Sequence, residues 1–220
     1  MNLVLLFLGP TLMIFLGLQV MSSVPLTFLL FYGWLFAVPA VEWFVIRRKT
    51  RKETFRQMGL VFNRKNVYHG VATGLLFYLT ILLAGYFFHS FLFDHDDLQA
   101  LLADWQFSGD LVIWLILVLL VINPFLEEIY WRGYFFKKLE GKRSVRAMLL
   151  LTSLFYSLYH FLSIIPLFSW PYNIMMVVPV FIAGMIWGYM RFKSNSLVGS
   201  IVSHILADAG IMAVYILFLR

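Results

Sequence analysis

The chain has 220 residues, 62% of them hydrophobic and 13% charged, with a mean hydropathy of +0.86. Soluble proteins are about 45–50% apolar and about 25% charged, so this chain has too few charges to cover a surface in water and belongs in a bilayer. It has no Cys, which excludes a disulfide framework, a thiolate zinc site, a cysteine nucleophile and lipid attachment at Cys.

About 20 apolar residues cross a hydrocarbon core about 30 Å thick. Seven such segments are predicted, at about 2–22, 24–46, 68–93, 110–136, 147–168, 173–192 and 197–219. The expected fold is all-α, a polytopic membrane helix bundle of about seven transmembrane helices. The first segment lacks a basic leader and contains Pro10, so it reads as a retained span, with a cleaved signal peptide as the alternative. Ser22-Ser23-Val24-Pro25 makes a tight reversal into the second. The connection that follows is basic, from Arg47-Arg48-Lys49-Thr50-Arg51-Lys52 to Arg64-Lys65. The next holds Asp94, His95, Asp96, Asp97, Asp104 and Asp110 with no Lys or Arg, and a short surface helix over Gln99–Trp105. Lys137-Lys138-Leu139-Glu140-Gly141-Lys142-Arg143 and Arg191-Phe192-Lys193 are basic again. Alternating the connections puts all the basic ones on one side, which the positive-inside rule makes cytoplasmic, together with the N-terminus. Arg220, beyond the last span, is the exception. Orientation therefore accounts for the net charge of +6, and no nucleic-acid partner is expected. No repeat or soluble segment interrupts the pattern. Residues 1–220 read as a single integral-membrane domain, with a motif-bearing core at about 110–220, in a bacterial plasma membrane. Gly184 and Gly188, with Ala183, form a small-residue face suited to helix packing.

A charge at the centre of a membrane helix costs about 2.5–3.5 kcal/mol on insertion scales, so those present need a reason. Glu42 lies about one turn from Arg47 and is expected to pair with the basic connection. Glu127, Glu128, Arg132, His160, His204 and Asp208 remain, on spans four, five and seven. At 1.5 Å per residue, Glu127, His160 and His204 lie roughly 15, 20 and 11 Å from the basic end, close enough in depth to share one pocket. Glu128 and Arg132 are spaced i,i+4 and can form an ion pair, which leaves Glu127, about 100° round the helix, free to face that pocket. His204 and Asp208 share the spacing, and a carboxylate there can fix the imidazole. Tyr156 and His160 share it too, so that the phenol ring can pack against the imidazole or donate to it. Pro124 loosens span four one turn before the glutamates.

A carboxylate shielded from water can act as general base on a water molecule, while a histidine shares that water or donates to a developing oxyanion. The trio Glu127, His160 and His204 equally resembles the ligand set of a catalytic zinc. Either chemistry hydrolyses an acyl bond, so the cofactor is zinc or none. H-E-x-x-H, the best-known zinc-protease pattern, is absent.

Glu127-Glu128-Ile129-Tyr130-Trp131-Arg132 reads E-E-x-x-x-R, His160 lies in an aromatic helix, and His204-Ile205-Leu206-Ala207-Asp208 reads H-x-x-x-[N/D]. In that order, on separate late spans, this resembles the CPBP family of CAAX prenyl endopeptidases and their bacterial relatives, which include proteins linked to bacteriocin self-immunity. The motifs occupy about residues 123–208. The family's second motif is usually F-x-x-x-H, whereas Tyr156 stands four residues before His160 and Phe155 is one position off. The resemblance implies an intramembrane endopeptidase, glutamate-dependent or metal-dependent, that cleaves a peptide or membrane-protein substrate near the cytoplasmic face. It implies that Glu127 activates water with His160 as partner, that His204 and Asp208 stabilise the oxyanion, and that Glu128 and Arg132 hold the site in shape. A proton-coupled transporter and a non-catalytic membrane partner or immunity protein are the alternatives. Transporters often carry paired repeats and broken helices, absent here, and a scaffold has no need to bury such polar groups.

Overall fold

The computed structural model describes residues 2–106 and 112–219, so Asp110, Arg220 and the first residues of the predicted fourth span lie outside the described residues. Seven helices have the length and composition to cross a membrane: α1 (Leu3–Val20), α2 (Val24–Ile46), α4 (Arg64–Leu92), α6 (Val112–Leu139), α7 (Val145–Ile164), α8 (Tyr172–Ser194) and α9 (Val198–Leu219). Two short helices join them, α3 (Arg51–Met58) and α5 (His95–Asp104). No strand occurs among the described residues. The all-α, seven-span expectation holds, and most predicted ends fall within a few residues of those observed. Large apolar side chains cover the outside, with Leu29 71% exposed and Phe91 67%. Such a surface is tolerable in hydrocarbon and not in water.

Local chemistry sets the helix ends. Ser23 accepts from the Leu26 amide at the start of α2, and Asn63 from the Lys65 amide at the start of α4. Thr50 and Glu53 form a reciprocal capping box that starts α3, and Gly59, at φ +84°, ends it in the left-handed conformation. Asp94 accepts from the Asp96 and Asp97 amides and starts α5, with acidic side chains at the positive end of the helix dipole. α7 stops at Ile164, two residues before Pro166, which has no N–H to continue the helical hydrogen bonds.

Helix contacts are close where side chains are small. α4 lies along α9 with Gly70 against Gly199, where a Cβ on Gly70 would come 2.5 Å from the Gly199 carbonyl oxygen. Gly184 and Gly188 of α8 abut Ser153 and Leu149 of α7, as the small-residue face predicts. The first two helices are tied to α6 by a polar thread: Trp34 Nε1 donates to the Tyr130 hydroxyl at 2.9 Å, and that hydroxyl donates to the Leu6 carbonyl at 2.7 Å. Glu42 of α2 meets Arg47 and Lys138, each at 2.6 Å, and accepts from Tyr134. Its expected pairing with the basic connection is present, and Lys138 extends it to α6.

Helix α6 is not uniform. Widened, π-helical turns span Val118–Ile122 and Ile129–Phe135, with a regular stretch over Asn123–Glu128 between them. Pro124 lies in that stretch, directly after the first widened turn, and has no N–H to give to the preceding turn. Turns of this kind cluster at functional sites, because each one re-aims the side chains around it.

Candidate active site

The motif residues converge from α6, α7 and α9. Glu128 and Arg132 form the expected ion pair, Nη1 to Oε1 at 2.8 Å, with neither side chain exposed. Arg132 also donates from Nη2 to the Gly184 carbonyl at 3.1 Å, and its guanidinium lies 4.5 Å from the centre of the Tyr156 ring. A buried charge is costly unless its hydrogen bonds are made, and α8 supplies the second acceptor through its backbone.

His204 is held on every side. Its Nδ1 lies 3.3 Å from Glu128 Oε1, and its Nε2 lies 3.6 Å from Glu127 Oε2 and 3.6 Å from Asp208 Oδ1. Trp187 stacks on its face with centroids 4.1 Å apart, and is itself fixed by donating from Nε1 to Ser203 Oγ at 3.0 Å. The expected His204–Asp208 proximity is present, but the hydrogen bond that orients Asp208 comes from Asn123, whose Nδ2 donates to Oδ2 at 3.1 Å. Asn123 Oδ1 accepts in turn from the Tyr32 hydroxyl at 3.2 Å.

His160 lies between the rings of Tyr156 and Tyr159, each 4.5 Å away, with Nδ1 2.9 Å from the Tyr156 carbonyl oxygen. A carbonyl can only accept, so Nδ1 carries the proton and the neutral ring keeps its lone pair on Nε2. Tyr156 thus packs against His160 with its ring, one of the two contacts anticipated, while its hydroxyl reaches His204 Nε2 at 3.4 Å.

A cavity of about 320 Å³ runs from these groups along α1, α2, α6, α7 and α9. Glu127, His160, Asp208, Asn123, Tyr32 and Tyr159 form its polar end, and Ile14, Leu18, Phe31, Leu119, Ile211 and Met212 are among its apolar walls. His204 does not reach it and stands behind Glu127. Glu127 Oε2 and the Tyr159 hydroxyl are buried and make no hydrogen bond. The far end of the cavity is closed by Leu102 of α5 and by Trp105, which caps that helix. The Val24 amide donates to the Trp105 carbonyl at 3.0 Å, and Gln99 Nε2 donates to the Leu219 carbonyl at 2.7 Å, so α5 is fastened across that end. The helix expected only on the surface over Gln99–Trp105 starts at His95 and buries Leu98, Leu102 and Trp105. Apart from Glu127 and Asp208, which lie near the middle of α6 and α9, the cavity residues on the spanning helices lie in the half of each helix away from the basic connections. The cavity thus leads away from the side on which depth alone puts the reaction.

Sequence reasoning passed over Asn123, Tyr159, Trp187 and Tyr32. Asn123 could have been found as an uncharged polar residue inside an apolar span. The aromatic residues had no signal among 23 Phe, 11 Tyr and 7 Trp. As for zinc, no group of three or more His, Asp or Glu side chains is arranged to hold a metal ion among the described residues. His204 is absent from the lining of the cavity that Glu127 and His160 share. Glu127, His160 and His204 as arranged do not fit that ligand set.

Glutamates, arginine and both histidines meet in order on α6, α7 and α9. Residues 109–210 match the family model described as Rce1-like, type II CAAX prenyl endopeptidase. The resemblance drawn from the motifs is borne out over that segment. With seven apolar helices, the Rce1-like match makes the chain an integral, multi-pass membrane protein and supports a CAAX-type protease acting on peptide substrates. The Rce1-like segment contains every polar group of the site except Tyr32. No curated protein and no solved structure matches the chain.

Proposed function

We propose that the chain is an intramembrane endopeptidase that hydrolyses a peptide bond with water activated by Glu127. The observation that carries this reading is the Glu127 carboxylate, 1% exposed, with an oxygen that accepts no hydrogen bond and has only His204 Nε2 near it at 3.6 Å, in the wall of a largely apolar cavity beside His160 and Asp208. A water molecule between Glu127 and His160 Nε2 gives one hydrogen to each, because the Nδ1 proton of His160 is already used. Glu127 takes the water proton as oxygen bonds to the carbonyl carbon. The carbon–nitrogen bond then breaks, and the proton passes from Glu127 to the leaving amine. The Tyr159 hydroxyl, which makes no hydrogen bond of ordinary length, donates to the oxyanion.

His204 links Glu127 to Asp208 through Nε2, so its part is to carry or balance the proton behind the base. It takes that part instead of touching the oxyanion directly. Glu128, Arg132, Trp187 and Asn123 fix the groups that react. The apolar walls suit a membrane-associated or lipidated substrate. Such a substrate approaches along the cavity from the α5 end, which is the outer side when the basic connections are cytoplasmic.

The test compares peptide termini in membranes from cells making wild type or Glu127→Gln at matched expression. New termini only with wild type are expected, and a positioned general base contributes about 10²–10⁴-fold in rate. Identical termini in the two samples overturn the reading and leave a binding role.

A further inference from the structure

At the opposite end of the bundle from α5, a second recess of about 670 Å³ opens between α3, the α6–α7 connection and the end of α8. Arg56, Lys137, Arg143 and Arg191 line it, with Glu53 and Glu140 as its acids. Both acids are engaged. Glu53 accepts from the Thr50 amide at 2.9 Å and from the Thr50 hydroxyl at 2.8 Å, and Glu140 pairs with Lys137.

Arg56, Lys137 and Arg143 are exposed at the rim, whereas Arg191 is only 7% exposed. Arg191 Nη1 donates to Asn195 Oδ1 at 2.7 Å, its Nε has no hydrogen-bond partner, and no carboxylate pairs with it among the described residues. Its guanidinium rests on Gly59, where a Cβ would come within 2.8 Å of Cζ. The glycine therefore lets the backbone support the guanidinium from beneath. A buried guanidinium with an N–H to spare and no carboxylate within ion-pair distance is costly unless an anion completes it, and its planar fork matches phosphate oxygens.

We infer that this recess binds a phosphate oxyanion on Arg191, with Arg56, Lys137 and Arg143 around it. The site lies among the basic connections, at the level where lipid headgroups meet spanning helices, and a basic pocket there suits an anionic phospholipid. Phe136 and Phe192 add apolar surface beside the cations, which suits an acyl chain. Inorganic phosphate offers the same oxygens without the chain. The inference is independent of the peptidase reading.

The experiment uses the delipidated full-length chain in detergent, titrated with phosphatidylglycerol, phosphatidylcholine or inorganic phosphate and followed by native mass spectrometry and thermal unfolding. Phosphatidylglycerol is expected to bind and raise the unfolding midpoint, with Arg191→Gln weakening it about tenfold or more and phosphatidylcholine far weaker. Because Arg191 is buried, Arg143→Gln at the exposed rim serves as a second variant and is expected to weaken binding severalfold. Lys52→Gln, also basic and exposed but outside the recess, leaves binding unchanged. Millimolar phosphate that binds and displaces the lipid identifies the free ion as a second source for the same site. Equal binding of the two lipids, or equal loss in Lys52→Gln and Arg143→Gln, overturns the inference in favour of diffuse charge.

Discussion

Arg132 has no exposed surface and satisfies its charge with one carboxylate, one backbone carbonyl and the face of a tyrosine ring. Replacing it with Gln leaves Glu128 buried without its counter-charge. Removing one partner of such a pair costs about 3–5 kcal/mol, so Arg132→Gln is expected to lower the unfolding midpoint in detergent sharply. The two tyrosines beside the histidines separate packing from chemistry. Tyr156→Phe keeps the ring against His160 and Arg132, losing a 3.4 Å contact to His204, so turnover should fall only a few-fold. Tyr159→Phe removes a hydroxyl from the cavity, and kcat should fall about 10²-fold or more; steady-state kinetics of both variants on one peptide check the contrast, and equal losses reject the role given to Tyr159. The ionisable members of this cluster were legible because each is anomalous in an apolar span. Trp187 and Tyr159 were not, since an aromatic side chain in a membrane helix marks no position, and only the fold shows which one stacks on His204 and which lines the cavity.

Helices as units differ in how openly the sequence declares them. Seven apolar runs read directly as spans because hydrocarbon imposes the length. The seam between α4 and α9 was not read, although it depends on the same small residues as the face noticed at Gly184 and Gly188. Gly70→Ala puts a methyl group against the Gly199 carbonyl, 2.5 Å away. Overpacking of this kind costs about 1–3 kcal/mol. The variant is expected to melt earlier, whereas Gly33→Ala, which meets nothing within 4 Å, is expected to match wild type in the same assay. Helix α5 escaped a full reading for another reason. Ten residues with an acidic first turn resemble any exposed connection, and the burial of Leu98, Leu102 and Trp105 follows only from the cavity over which they lie. Of the widened turns of α6, the first has Pro124 beside it as a signal, whereas the second is silent in the sequence, because Ile129–Phe135 holds no proline.

Across the whole molecule, the cavity is assembled from both halves of the chain. Phe31 and Leu18 come from helices before the Rce1-like match, and Glu127, His160 and Asp208 from within it. Phe31→Ala enlarges the apolar end without touching Glu127. It is expected to raise KM for a peptide with a compact apolar segment and to improve relative acceptance of a bulkier one, with kcat changed only a few-fold; kcat/KM for two peptides differing only in that segment measures it. The polar thread through Trp34, Tyr130 and Leu6, and the Glu42 clasp on Lys138, hold the two halves in register. Because part of the cavity wall comes from a different stretch of the polypeptide than Glu127 and His160, evolution can reshape what fits the cavity without touching those two residues.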